Sequence, residues 1–237
     1  MVIAMILASG TGTRMGNVEC PKQFLLIYNK PLIVHTIEAF EAHDGVDQII
    51  VVTNDDYIDQ VKVWCKQYDL GKVKNVVAGG ASRQISVFNG LTALQEMGTN
   101  ADDLILIHDA ARPLISQKII TDNIEGCAKY GAVDTVIPSS DTIIRSIEGE
   151  TITEIQKRNE LFLGQTPQSF KFSIIKGAHD LANSKNDTDT TDDCKLVLKF
   201  GDPIHLVNGN KLNFKITTFD DLMMLKALLK IGKTEVI

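Results

Sequence analysis

The chain has 237 residues, 44% of them hydrophobic and 23% charged, the proportions of an ordinary globular protein long enough to bury a full core. Its formal net charge of −6 excludes broad electrostatic attraction to nucleic acid or to an anionic membrane, so any phosphate it binds must meet a local cluster of positive groups. The four cysteines, Cys20, Cys65, Cys127 and Cys194, lack Cys-x-x-Cys spacing, which argues against a zinc site or a disulfide framework and fits a reducing cytoplasm. No apolar run approaches the ~20 residues of a membrane span, and the opening MVIAMILASGTGTR breaks at glycine with no positive region before it. The start is therefore expected to belong to the fold, and the protein to the cytoplasm.

In chain order, short β-branched runs alternate with segments of helical period, the pattern of a parallel sheet covered by helices. Strands are predicted at Val2 to Leu7, Gln48 to Thr53, Lys74 to Val77, Leu104 to His108 and Ala132 to Ile137. Ile33, Ile37 and Phe40 mark one helix face; Val87, Phe88, Leu91 and Leu94 mark another, with Ser82 placed to cap it. From Thr142 to Glu154 the alternation shortens around Glu148, Gly149 and Glu150, predicting a β-hairpin arm. Residues Asn183 to Asp193 read as a polar loop, and a final amphipathic helix is expected near Thr218, where Thr218 and Asp221 have capping-box spacing and Leu222, Leu225 and Leu229 point inward. The expected fold is α/β and Rossmann-like: a single domain over residues 1–237 with a mostly parallel central sheet flanked by helices and a projecting arm at about 139–160.

Three segments carry possible chemistry. The first strand empties into Ser9-Gly10-Thr11-Gly12-Thr13-Arg14-Met15-Gly16, whose backbone N–H groups can wrap a phosphate chain. The dinucleotide fingerprint would need glycine in place of Met15, and a P-loop would need Gly-Lys-Ser/Thr at its end, so both are excluded. What remains is a glycine loop with Arg14 inside it and Lys22 shortly after, two cations suited to charge moving onto a leaving pyrophosphate. The bland alternative is a tight turn with two solvated basic side chains.

The second segment is His108-Asp109-Ala110-Ala111-Arg112-Pro113, after an apolar strand. An acid at the carboxyl end of a central strand sits where open α/β sheets bind ligands, and Asp109 there can hold Mg²⁺ against triphosphate oxygens; the alternative is a turn cap. His108 reads as structural. The third is Gly79-Gly80-Ala81-Ser82-Arg83, where backbone groups and Ser86 suit a nucleobase or ribose, although ordinary turn chemistry explains it as well.

Taken together with Pro21-Lys22-Gln23-Phe24, Asp141-Thr142, Thr166-Pro167-Gln168, Thr191-Asp192-Asp193 and Lys215-Ile216-Thr217-Thr218, these segments resemble, over the whole chain, the cytidylyltransferases of polyol phosphates. That family has a 2-C-methyl-D-erythritol 4-phosphate branch and a ribitol-5-phosphate branch. Gly164-Gln165-Thr166-Pro167-Gln168, Ala132 to Ile137 and Asp193-Cys194-Lys195 look more like the second. Family members often carry glycine where Ser9 stands, a departure expected to affect binding only modestly.

The resemblance implies a Mg²⁺-dependent transfer of CMP from CTP to D-ribitol 5-phosphate, with 2-C-methyl-D-erythritol 4-phosphate as the alternative acceptor. It implies catalytic roles for Arg14, Lys22 and Lys215, and nucleotide contacts from Leu7, Ala8, Ser9, Gly10, Thr11, Gly12, Thr13, Gly79, Gly80, Ala81, Ser86 and Asp109. Acceptor contacts are implied for Asp109, Arg112, Thr142, Arg158, Thr166, Thr191 and Lys215, with Thr142 and Arg158 reaching in from the arm of a second subunit, hence a homodimer. Two rivals stand beside this: a nucleotide-binding regulatory module that has lost the chemistry, and a sugar-1-phosphate nucleotidyltransferase. Arg14, Lys22, Asp109, Arg158 and Lys215 are all retained against the first, and the Thr-Pro-Gln and Lys-Ile-Thr-Thr motifs argue against the second.

Overall fold

In the computed structural model, which describes residues 1–10, 20–188 and 190–232, strands and helices alternate from the start. β1 (Val2–Ala8) is followed by a 3₁₀ turn at Lys22–Phe24, a small ribbon of β2 (Leu26–Ile27) and β3 (Lys30–Pro31), and α1 (Leu32–Glu41). Then come β4 (Gln48–Thr53), α2 (Ile58–Gln67), β5 (Val73–Ala78), α3 (Arg83–Glu96), β6 (Leu104–Asp109), α4 (Gln117–Tyr130) and β7 (Ala132–Pro138). The five strands read from apolar runs are all present, each within a residue of its expected bounds. Ser82 caps α3 as expected, its side chain accepting from the Ile85 N–H.

The arm is the paired hairpin β8 (Ile144–Arg145) and β9 (Glu154–Ile155), with Gly149 at φ +82° in its turn, where a side chain would be strained. The remaining elements are β10 (Phe162–Lys171), α5 (Phe172–Ser184), α6 (Asp193–Lys199), β11 (His205–Asn208) and α7 (Phe219–Gly232). At α7, Asp221 accepts from the Thr217 and Thr218 N–H groups while its own N–H donates to Thr218 Oγ1, the reciprocal cap that the spacing predicts. Leu222 and Leu225 then pack on Ile27, Leu32 and Ile216.

Among the described residues the main sheet has seven strands in the order β11-β7-β10-β6-β1-β4-β5. Its pairs are parallel except that β10 runs antiparallel to β6 and β7. Because both faces are covered, the central strands are apolar on both sides. Ala4 and Ile6 of β1 join Val51, Leu106 and the inner faces of α1 and α4; Ile3 and Met5 join Val52, Ile105 and the inner faces of α3 and α5. Each of the larger side chains among these contributes ~1.5–3 kcal/mol of burial.

Of the two main-sheet strands that apolar periodicity does not reveal, β11 and β10, β10 lies between β7 and β6. Its middle, Gln165, Thr166, Gln168 and Ser169, is buried yet polar. Each group is satisfied by a distant partner: Gln165 donates to the Asn210 carbonyl, Ser169 to Asn123 Oδ1, and Gln168 to Asp134 and Asp192. No helix among the described residues is long and apolar enough to cross a membrane.

Candidate active site

The carboxyl ends of β1, β4, β5 and β6 surround one cleft of about 560 Å³, within the size range of small-molecule sites. β1 has β4 on one side and β6 on the other, and the chain reaches β6 only after building β4 and β5 outward. This reversal of strand order is where open α/β sheets leave a crevice for ligands.

The side of the cleft built from β1 and the β5–α3 turn is held by short polar links. Gln23, buried on the turn after the glycine loop, donates through Nε2 to the carbonyls of Ala8 (2.5 Å) and Gly10 (2.8 Å), fixing where the loop leaves β1. Lys22, its neighbour, lines the cleft. Ser9 Oγ donates to Ser86 Oγ (2.8 Å), which also accepts from the Gly80 N–H (3.0 Å) and donates to the Ser82 carbonyl (2.9 Å). One hydroxyl has one donor and two acceptor sites, so Ser86 is fully used in tying β1 to the β5–α3 turn.

The glycines are required by closeness. A Cβ at Gly79 would lie 2.5 Å from Ser9 Cβ, and one at Gly80 2.1 Å from Ile85 Cγ2. Gly79→Ala is expected to push the Ser9 loop into the cleft, raising KM for the ligand of the cleft about tenfold at a stability cost of ~1–3 kcal/mol. Steady-state kinetics with chemical denaturation checks both numbers.

Opposite this wall stands Asp109, at the end of β6. Lys215 Nζ lies 2.9 Å and Arg112 Nε 3.6 Å from its Oδ2. Burial alone would favour the neutral acid, but Lys215, Arg83 and Arg112 outweigh it and hold the carboxyl well below the usual range. Arg112 also donates to the Asn213 carbonyl (2.8 Å), so the guanidinium bridges β6 to the segment leading to Lys215.

Behind Asp109 runs a hydrogen-bond chain that fixes its turn. The Asp109 N–H donates to Thr166 Oγ1 (3.1 Å), and Thr166 Oγ1 lies 2.9 Å from His108 Nδ1. His108 Nε2 lies 3.1 Å from the Arg112 carbonyl, which can only accept, so Nε2 carries the proton and Nδ1 accepts from Thr166. Burial pushes the His108 imidazole down to about 4, from 6.5, in keeping with this neutral tautomer. Thr166→Val leaves two buried groups unpaired and is expected to cost ~1–3 kcal/mol in denaturant unfolding.

The pH dependence follows from the direction of the shift. Between about 6.5 and 4 the unfolded chain takes up the histidine proton first, so this contribution is present above 6.5 and is lost as pH falls toward 4. Asp134 works in the opposite sense: burial, reinforced by Asp192, raises its carboxyl to about 7, so its proton favours the folded state as pH falls. The histidine effect is therefore expected as a difference: His108→Gln should lose less stability than wild type between pH 7 and pH 5 in parallel urea titrations.

Leu7, Ala8, Ser9, Gly10, Lys22, Gly80, Ala81, Asp109 and Lys215 all line the cleft. Gly79 and Ser86 stand directly behind it, and Arg112 flanks Asp109. Thr166 lies behind Asp109, with its hydroxyl engaged there rather than at the cleft lining. Thr11, Gly12, Thr13 and Arg14 lie outside the described residues. Thr142 and Arg158 are exposed on and beside the arm, and Thr191 is exposed just before α6; none of the three lines the cleft of its own chain. Sequence reading assigned no role to Gln23, Asn54, Asp56 or Arg83, although Asn54 follows β4 directly, where the parallel-sheet rule already points.

Magnesium favours one or two carboxylates completed by phosphate and water oxygens. Asp109 fits as the single carboxylate: it stays ionised and lines the cleft, while the interactions from Lys215 and Arg112 fall on Oδ2. Among the described residues there is no cluster of three or more His, Cys, Asp or Glu side chains able to hold a metal without such a substrate.

Residues 2–231 match the family described as IspD, 2-C-methyl-D-erythritol 4-phosphate cytidylyltransferase. The chain belongs to the IspD family. Membership makes it a nucleotidyltransferase that uses CTP, and the cleft at the sheet's switch point is the place in the fold suited to that chemistry. It is 42% identical, over 97% of its own length and 99% of the relative's, to a ribitol-5-phosphate cytidylyltransferase of Lactiplantibacillus plantarum. Among solved structures it is similar to the 4-diphosphocytidyl-2C-methyl-D-erythritol synthase of Anaerococcus prevotii, with TM-score 0.81 and 28% identity over 97% of this chain and 96% of that one. The 2-C-methyl-D-erythritol 4-phosphate cytidylyltransferase of Thermus thermophilus gives TM-score 0.76 and 30% identity over 95% and 98%.

Proposed function

We propose that this IspD-family enzyme transfers CMP from CTP to D-ribitol 5-phosphate, giving CDP-ribitol and pyrophosphate. The observation that carries the acceptor assignment is the 42% identity, nearly end to end, with a ribitol-5-phosphate cytidylyltransferase. An oxygen of the acceptor phosphate attacks the α-phosphorus in line; the bond to the bridging oxygen breaks, and its electron pair leaves with pyrophosphate. A phosphate monoester is already anionic near neutral pH, so no general base is needed. Catalysis consists of bringing two anions together and neutralising their repulsion.

In this reading Arg14 and Lys22 stabilise the triphosphate as charge moves onto the leaving group, while the backbone from Leu7 to Thr13 and from Gly79 to Ala81 holds the nucleotide beside Ser86. Arg112, Thr191 and Lys215 hold the acceptor, with Thr166 setting the Asp109 turn. Asp109 would hold Mg²⁺, which supplies charge neutralisation at the phosphates when bound.

The chain works as a single domain whose arm, about residues 139–160, carries Thr142 and Arg158 to the cleft of a second subunit in a cytoplasmic homodimer. Supporting the dimer, the arm exposes Ile144, Ile147, Ile152 and Ile155, an apolar set that a lone monomer would leave in water. The shared site is tested by subunit mixing: Lys22→Ala and Arg158→Ala preparations, each impaired, should recover partial activity when unfolded and refolded together. No recovery above the sum of the two would remove the arm from the neighbour's site.

The second reading keeps the chemistry and takes 2-C-methyl-D-erythritol 4-phosphate as acceptor, favoured by the family description and by the solved structures above. Pyrophosphate release with each acceptor, and the mass of the cytidylylated product, tells the two apart.

A further inference from the structure

Two charged residues near the cleft have no place in the reaction as derived above. Arg83, the first residue of α3, lines the cleft, and Asp193, the first residue of α6, is fully buried. Arg83 Nη1 lies 2.6 Å from Asp193 Oδ2, and Asp193 Oδ1 lies 3.1 Å from Nε2 of His179, itself 1% exposed on α5. The Asp193 N–H donates to Gln168 Oε1 (3.2 Å), so strand β10 fixes the carboxylate from the backbone side as well.

We propose that Asp193 and His179 are positioning residues, a buried carboxylate–imidazole pair that fixes the Arg83 guanidinium on the cleft wall as a cation for the phosphates of the reactants.

A fully buried carboxylate is costly unless paired and hydrogen-bonded, and apolar replacements of such pairs are often neutral or stabilising, so packing alone does not call for this one. Burial opposes the charge on Asp193, but Arg83 first and His179 second outweigh it and keep the carboxyl ionised. Arg83 keeps 23% of its side chain exposed and, like Lys215, lies within electrostatic reach of Asp109. Three cations thus stand around the one carboxylate at the end of β6: Arg112 beside it, Arg83 on the α3 side and Lys215 on the α7 side. An unanchored arginine would lose rotamer entropy on meeting its ligand, whereas this one is set beforehand from behind. Asp193 also follows Thr191 and Asp192 directly, so the same anchor joins the nucleotide wall to the loop assigned to the acceptor.

The role rests on the reading of this cleft as the CTP site, and a double-mutant cycle in the full-length protein tests it separately from that reading. Arg83→Ala, Asp193→Asn and the double variant are compared by pyrophosphate release with Mg-CTP and acceptor, and by melting temperature. Each single change is expected to lower kcat/KM on the order of 10-fold to 10²-fold, and the double variant should be no worse in kcat/KM than Arg83→Ala, because the anchor has nothing left to position. Losses that multiply, or an active Arg83→Ala enzyme, would overturn the proposal while leaving cytidylyl transfer by the wild type untouched. Should Asp193→Asn fail to fold, His179→Asn closes the same cycle with the same two outcomes. An inactive wild type would instead count against the cleft's assigned reaction.

Discussion

Lys22→Ala is expected to lower kcat at saturating CTP on the order of 10²-fold to 10³-fold, a loss of ~3–4 kcal/mol of transition-state stabilisation. The size of the effect follows from how the lysine is mounted. Its neighbour Gln23 is pinned to the Ala8 and Gly10 carbonyls, and Phe24, 4% exposed, stacks on Tyr57 with ring centroids 4.3 Å apart. The ammonium is thus carried on a turn anchored by the two residues that follow it, ahead of any charge that develops on the leaving pyrophosphate. A preorganised donor of this kind acts on the transition state more than on the bound substrate, so kcat should fall further than KM rises. Near-normal turnover by the alanine variant would remove Lys22 from the chemistry.

Asp109→Asn should do more damage, because it changes both stability and activity. The carboxylate is the common partner of Lys215 at 2.9 Å and Arg112 at 3.6 Å, with Arg83 in electrostatic reach. Removing its charge leaves these cations facing one another in a half-closed cleft; breaking a buried pair from one side costs about 3–5 kcal/mol. In the proposed mechanism the same change also takes away the carboxylate that meets the metal, so activity should fall by at least ~10³-fold even where the protein stays folded. Urea unfolding and pyrophosphate release on the same preparation separate the two effects. An asparagine variant as stable and as active as wild type would contradict both the ion cluster's importance and Asp109's role.

The parallel half of this fold is legible because its physics is local. β1, β4 and β6 are buried on both faces, which writes continuous apolar text, and Ser9, Asn54 and Asp109 stand at or directly after their carboxyl ends, where open α/β sheets bind ligands. The cap of α3 at Ser82 and the cap of α7 at Thr218 are likewise visible, since spacing alone defines them. β10 is hidden for the converse reason. Gln165, Gln168 and Ser169 are core residues by virtue of partners 24 to 46 positions away, and Pro167 argues against a central strand.

The candidate site divides in the same way. Lys22, Asp109 and Lys215 are recognisable as candidates from their residue type and their place after a strand or within a motif. The service of Gln23 to the loop, of Thr166 and His108 to the Asp109 turn, and of Asp193 and His179 to Arg83 exists only in three dimensions. Ser86 shows the limit most clearly: the residue type suits a nucleobase contact, yet its hydroxyl is committed to Ser9, Gly80 and Ser82.

The most direct test of the proposed reaction is a competition: purified protein with Mg-CTP and equimolar D-ribitol 5-phosphate and 2-C-methyl-D-erythritol 4-phosphate, read as pyrophosphate released and as the masses of the cytidylylated products. The expected result is rapid release with CDP-ribitol in large excess. Predominant formation of the methylerythritol product would contradict the acceptor assignment, and no release with either acceptor would contradict cytidylyl transfer itself.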